Sequence, residues 1–316
     1  MAEYAALAEQ IGFDSVWVID SQLLCRDVFV TLAAILARTS TLRAATGVTQ
    51  PVTRHASVVA GAMASLAELS GGRAVLGVGS GFSSLGTIGL GQARVADVDT
   101  FIHTTRTLLS GREAAFDNGV TGRLAWVDRP AGVPVVIAAS GPRVTRLGGR
   151  IADGVIIHQG LAPAAIARAV GWVAEGARQR DDQTRPEISC WAPYSLAPTR
   201  AEAYARVRAR VAGALATARL EWFEGAERDA VARLKAAYDI ADHANPAPGH
   251  AALVPDALIP GHALAGDAAE MRDNLARLLA HPDIDRVILT PQVTGPGARP
   301  LPEVLRAFET DILAHL

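Results

Sequence analysis

Short, almost uniformly apolar runs alternate along this chain with stretches of helical periodicity, and most of these runs end in a small or polar residue. Residues 15–19, 43–48, 74–79, 133–138, 155–157, 188–196 and 286–290 read as strands. Residues 3–11, 57–69, 95–109, 143–150, 163–178 and 303–313 read as helices, and Asp27 and Asp267 stand where N-caps belong. A strand that is apolar along its whole length is covered on both faces, so the sheet is parallel and flanked by helices. The seven strands, with no break in composition between them, predict an α/β fold: a TIM (β/α)8-type barrel as a single domain over residues 1–316. A doubly wound sheet is the alternative. Residues 113–127, with Asn118-Gly119 at their centre, read as a small inserted hairpin.

Several function classes are excluded by composition. The formal net charge is −2 and aromatic residues make up 5%, which suits neither a nucleic-acid groove nor a base-stacking platform. Cys25 and Cys190 are the only cysteines, too few for structural zinc or an iron–sulfur cluster. The eight histidines show no H-E-x-x-H or comparable ligand spacing, so no metal site is expected. No apolar run approaches the ~18 residues of a membrane span, and no signal peptide is visible. The chain reads as a soluble cytoplasmic protein with a small-molecule substrate.

Chemistry is expected at the carboxyl ends of the strands, where Asp20, Gly47, Ser80, Ser140, His158 and Thr290 collect. Gly77-Val78-Gly79-Ser80-Gly81 is the most glycine-dense turn. Its spacing lacks the third glycine and the distal acid of a dinucleotide fingerprint. It reads as a loop beside a ligand ring or as a merely tight turn. Ala139-Ser140-Gly141-Pro142 opens a helix whose free amides could hold a phosphate or carboxylate, although Pro142 is also ordinary capping syntax. Asp20 could bind a ring N–H or a hydroxyl, orient a substrate, or cap the next turn. His158 is the histidine placed for the cleft.

In order, these segments resemble the bacterial-luciferase-like superfamily, most closely its deazaflavin-dependent branch of methylenetetrahydromethanopterin reductase-like oxidoreductases. The residues that carry the resemblance are Ala8-Glu9 with Gly12 through Asp20, Thr46 through Pro51 with Thr53-Arg54-His55, and Glu68 through Arg73. The turn from Gly77 to Ser83, Ala138 to Pro142, and Ala152 to Ile156 complete it. The resemblance implies a flavin-type ring, coenzyme F-420 (an 8-hydroxy-5-deazaflavin), with FMN as the alternative. It implies a bulge with a non-proline cis peptide at Gly47-Val48 behind the ring. Asp20, Gly47, Val48, Thr49, Gln50, Gly79, Ser80, Gly81 and Ser83 would surround the ring and its chain, and Ala139, Ser140 and Gly141 would take the phosphate. Asp20, Ser21 and His158 are the implied catalytic set for hydride transfer to or from a small organic substrate.

Two departures qualify the resemblance. The position after Asp20 is often histidine in relatives and here is Ser21, a poor proton carrier near neutrality. The chain also opens inside the first helix, so the strand that precedes it in relatives is absent and the barrel is expected to lack its first strand. The alternatives are an FMN-dependent luciferase-like monooxygenase or a non-catalytic relative. Relatives suggest a homo-oligomer, a dimer.

Overall fold

Helix ends in the first third of the chain are set by residues visible in the sequence. Asp27 accepts hydrogen bonds from the amides of Phe29 (3.0 Å) and Val30 (3.1 Å) and so starts α2 (Val28–Arg38). Gly12 and Gly71, at φ 102° and 64°, end α1 (Ala2–Ile11) and α3 (Ala56–Ser70) in the left-handed conformation that glycine adopts without steric cost. Strands β1 (Ser15–Val18), β2 (Arg43–Thr46) and β3 (Ala74–Val78) alternate with these helices. The computed structural model describes residues 1–182, 184–295 and 297–316. It comprises two compact units, Met1–Ala138 and Ala139–Leu316.

In the first unit β1 pairs with β2, β2 with β3, and β3 with β6 (Val135–Ala139), all parallel. Between β3 and β6 lie the short helix α4 (Ser83–Gly86), α5 (Val95–Leu109), and the antiparallel hairpin of β4 (Ala114–Ala115) and β5 (Thr121–Gly122). The hairpin turns at Asn118-Gly119 as expected, with the Asn118 side chain accepting from the Val120 amide at 3.1 Å. Strands pair in chain order with β1 at the end. A doubly wound sheet would instead place its first strand centrally. This is the repeat of a TIM-type barrel, here with β2 as the one strand partner of β1 among the described residues.

The second unit continues with α6 (Pro142–Ile151), β7 (Gly154–Ile157), α7 (Pro163–Ala177), β8 (Glu187–Leu196), α8 (Arg200–Thr217) and α9 (Gly225–Ala237). It closes with β9 (Leu264–Gly266), α10 (Ala268–Leu279), β10 (Arg286–Pro291) and α11 (Leu301–Asp311). β8 runs parallel to β7, β9 and β10. β9 was not expected; three residues after a proline-rich stretch are too few for periodicity to reveal. The last strand also departs from chain order. β10 lies beside Ser189–Tyr194, whereas β9 meets only Tyr194–Leu196. The stretch 246–260 holds 3-10 turns at Gly249–Leu253 and Asp256–Leu258. These turns share a core with α8 and α9, in which Val207, Val211, Leu215, Leu234 and Ile259 are fully or almost fully buried. No disulfide joins the cysteines, and burial pushes the Cys190 thiol up to about 12.

Candidate functional site

β2 is expected to run through Val48, but its ladder stops at Thr46 because the chain bulges there. The register offset between β2 and β3 is 30 positions at Ala44 with Ala74 and 29 at Thr49 with Val78, so one extra residue is accommodated on the β2 side. Thr46 bridges the gap with its side chain. Its hydroxyl donates to the Gly77 carbonyl (2.7 Å) and accepts from the Gly77 amide (2.8 Å), replacing the backbone groups that the bulge displaces. Within the bulge the Gly47–Val48 peptide is cis. Pairing resumes when the Thr49 amide donates to Gly77 and the Gly79 amide donates to Thr49.

The glycine turn is explained by this bulge. A Cβ on Gly77 would stand 2.1 Å from the Thr46 carbonyl oxygen and 2.9 Å from Cγ1 of Val48, and one on Gly79 would stand 2.9 Å from Cγ2 of Val48. Val48 therefore fills the space that side chains at 77 and 79 would need, and the glycines are fixed by packing. Gly81, at φ 77°, lies against Leu85 and Gln50. The Gln50 amide is already committed: its Oε1 accepts from the Val52 and Thr53 amides, and its Nε2 donates to the Thr53 hydroxyl.

At the end of β1, the Asp20 carboxylate is 7% exposed and receives a two-pronged contact from Arg54, Nε to Oδ2 at 3.2 Å and Nη2 to Oδ1 at 3.0 Å. Arg54 also reaches Asp27 at 3.1 Å and lies over the Phe29 ring, 4.9 Å from its centroid. Burial works against the Arg54 charge, but the two carboxylates outweigh it and raise the pKa further. Burial pushes Asp27 up, while the Val30 amide and Arg54 together hold it below the usual carboxylate range. Ser21 and Thr49 are 3% and 0% exposed, and neither hydroxyl has a partner in the protein. Gln22 binds the Ser84 carbonyl, which ties the β1 loop to α4 beside Ser80 and Ser83. Asp20, Ser21, the 47–50 bulge and the 79–83 turn therefore share one end of the first unit's strands.

A second group lies in the second unit. The Ala139 carbonyl accepts from the His158 amide (3.1 Å) and from Nε2 of Gln159 (3.2 Å), so it is a framework group. Gly141 is the N-cap of α6 and no side chain caps its amides, while Ser140 is exposed before it. His158 follows β7 and meets Trp191 edge-on at 6.5 Å. Burial, then His262, push the His158 imidazole below its ordinary value.

A family model described as Luciferase-like monooxygenase matches residues 1–283. The chain belongs to this family. A 5,10-methylenetetrahydromethanopterin reductase of Methanolobus tindarius is 34% identical over 203 residues, covering 62% of this chain and 61% of its own. An F420-dependent glucose-6-phosphate dehydrogenase of Nakamurella multipartita is 38% identical over 180 residues, covering 52% of this chain and 53% of its own. The matches thus span about half to three fifths of these relatives. Among solved structures, the coenzyme F420 dependent tetrahydromethanopterin reductase of Methanopyrus kandleri superposes with a TM-score of 0.80 at 20% identity, over 99% of this chain and 94% of that one. An F420-dependent secondary alcohol dehydrogenase gives 0.75 at 22%, over 99% and 93%. These likenesses show a shared fold.

In this luciferase-like family member, the sequence assigns Arg54 no role, because its grip on Asp20 depends on a contact across 34 positions. No helix among the described residues is long and apolar enough to cross a membrane, and no three His, Cys, Asp or Glu among them could hold a metal ion.

Proposed function

We propose that this chain is a deazaflavin-dependent oxidoreductase that moves a hydride between the cofactor and a small organic substrate. The observation that carries the reading is the pair of buried hydroxyls without protein partners, Ser21 and Thr49, at the ends of β1 and β2. A buried hydroxyl left unpaired costs roughly 1–3 kcal/mol, which a bound polar ring edge would recover. The F420 dependence named for the Nakamurella relative favours deazaflavin over FMN.

When bound, a deazaflavin supplies a ring carbon that carries two electrons and a hydrogen as hydride. The chain's own residues hold and orient. Gly47 and Val48 would form the wall behind the ring. The hydroxyls of Ser21 and Thr49 would hydrogen-bond it. Gly79, Ser80, Gly81 and Ser83 would flank it, and Gln50 fixes the turn beyond through its own hydrogen bonds. Asp20 keeps spare carboxylate lone pairs beyond its Arg54 contact, enough to accept one further hydrogen bond. Ser140 and Gly141, with the uncapped amides of α6, would take a phosphate, and the Ala139 carbonyl accepts from the His158 amide. Ser21 does not carry protons at neutral pH, so any proton transfer would fall to His158, to the substrate or to water.

Titration of the purified chain with deazaflavin and with FMN, followed by ring absorbance and mass spectrometry, tests the reading. Saturable binding of deazaflavin is expected. Binding of reduced FMN alone, with oxygen-dependent product, would replace it with the monooxygenase reading, and binding of neither would sink both. The reading also places the chain in the cytoplasm as a homodimer. Exposed Leu23, Val30, Val52 and Val58 in the first unit supply apolar surface for the dimer, and light scattering should give twice the chain mass of 33.0 kDa.

A further inference from the structure

Arg54, in the loop before α3, holds both ends of the segment between β1 and α2. Its guanidinium takes the Asp20 carboxylate in two prongs, at 3.2 and 3.0 Å, and the Asp27 carboxylate at 3.1 Å. Phe29 backs the guanidinium, 4.9 Å away. Residues 21–26, between the two carboxylates, are tied as well. The Ser21 carbonyl accepts from the Leu24 (3.2 Å) and Cys25 (2.8 Å) amides, and the Gln22 side chain donates to the Ser84 carbonyl. Leu23 stands at φ 68°, the one non-glycine residue at positive φ among the described residues. Its side chain is 80% exposed, so no burial compensates for this conformation; the ties on either side impose it. Amid these satisfied groups the buried Ser21 hydroxyl has no partner. A turn closed this tightly around one unsatisfied hydroxyl is a preformed ligand contact, and Arg54 is the group that closes it.

We propose that Arg54 is a positioning residue of the site. By closing residues 20–27 it sets the Ser21 hydroxyl and the Asp20 carboxylate where a bound ring meets them. This rests on the deazaflavin reading above. Arg54 makes and breaks no bond; its contribution is preorganisation, exerted through Asp20 and Ser21. With its ends released the loop samples open forms, and apparent affinity falls in proportion to the closed fraction. Asp27 is the second half of the clasp. Its Oδ1 caps α2 and its Oδ2 meets Arg54, so the two tasks fall on different oxygens. Asp27→Asn therefore keeps the cap through Oδ1 and turns a donor, Nδ2, towards Arg54.

Amide exchange of the full chain and titration with deazaflavin, followed by ring absorbance, read the clasp. The variants are Asp27→Asn and Arg54→Lys, whose single ammonium lacks the fork that spans two carboxylates. In both, the Leu24 and Cys25 amides should exchange about tenfold faster, while amides of β2 and α3 keep their rates. The deazaflavin Kd should rise about tenfold in both, as for a loop closed about a tenth of the time. Ser21→Ala removes the hydroxyl that the clasp positions. Ser21→Ala/Asp27→Asn should therefore lose less affinity than the two single losses multiplied. Deazaflavin bound with an unchanged Kd in both variants, or losses that multiply in full, overturns the proposal alone. Faster exchange spread evenly through the first unit does the same, since it marks a merely structural role. Failure of the unaltered chain to bind deazaflavin overturns the proposal and the proposed function together.

Discussion

Val48 occupies the volume that side chains at 77 and 79 would need, but the two glycines differ in what confines them. The nearest obstacle to a Cβ at 77 is the Thr46 backbone carbonyl; at 79 it is a methyl of Val48. Gly79→Ala should cost about 1–3 kcal/mol by overpacking, measured by urea unfolding, and Val48→Ala should restore most of it. Gly77→Ala should cost more and show no such rescue, because backbone cannot be trimmed. Arg54→Met keeps a side chain over Phe29 but leaves Asp20 buried and unpaired. We expect it to lose about 3 kcal/mol, with Arg54→Met/Asp20→Asn recovering a measurable part; an additive pair would refute the coupling. The glycine turn was legible as a tight feature in the sequence. Its cause was not, because Val48 and Gly79 meet only once the bulge shifts the register.

Helix α1 is tied to the loop after α2 by one carboxylate. Oε1 of Glu9 accepts from the amides of Ser40 (2.9 Å), Thr41 (2.6 Å) and Leu42 (2.8 Å), and from the Thr41 hydroxyl (2.9 Å). The Thr41 and Leu42 amides lead in lowering its pKa from 4.5 to about 2. A carboxylate depressed by folding stabilises fully above its unfolded value, and this support is lost as pH falls from 4.5 towards 2. Glu9→Gln should therefore flatten the pH dependence of unfolding free energy in that window and lower Tm at pH 7. In the second unit the only lysine of the chain, Lys235 of α9, closes the end of α8 by donating to the Ala216 (2.6 Å) and Ala218 (2.8 Å) carbonyls. Caps made by adjacent residues, such as Asp27 and Asp267, could be read from sequence. Glu9 and Lys235 cap across distant positions and leave no local pattern.

At the scale of the whole molecule, the two units differ in how acid reaches them. His158, His243 and His262 all lie in the second unit, and burial is the first cause holding each below its ordinary value. His243 is lowered from 6.5 to about 4, its Nδ1 2.6 Å from the Tyr238 hydroxyl. A histidine depressed by folding is protonated more readily in the unfolded chain, so stability falls as pH drops from 6.5 towards 4. At pH 5, amide exchange should accelerate first in residues 139–316, while the first unit holds until Glu9 begins to lose its charge advantage below 4.5. His243→Phe should blunt the loss in the second unit; uniform acceleration along the chain would contradict this assignment.

Strand-helix alternation, the hairpin, the helix caps and the family were fixed by the sequence, because each rests on contacts or periodicities within a few neighbouring residues. Tertiary structure alone decided the packing of Val48 into the space beside Gly77 and Gly79, the Arg54 grip on Asp20, the Glu9 tether and the pairing of β10 with β8. These join residues tens of positions apart, and only the register of the strands and the packing of the loops determine which side chains come within reach.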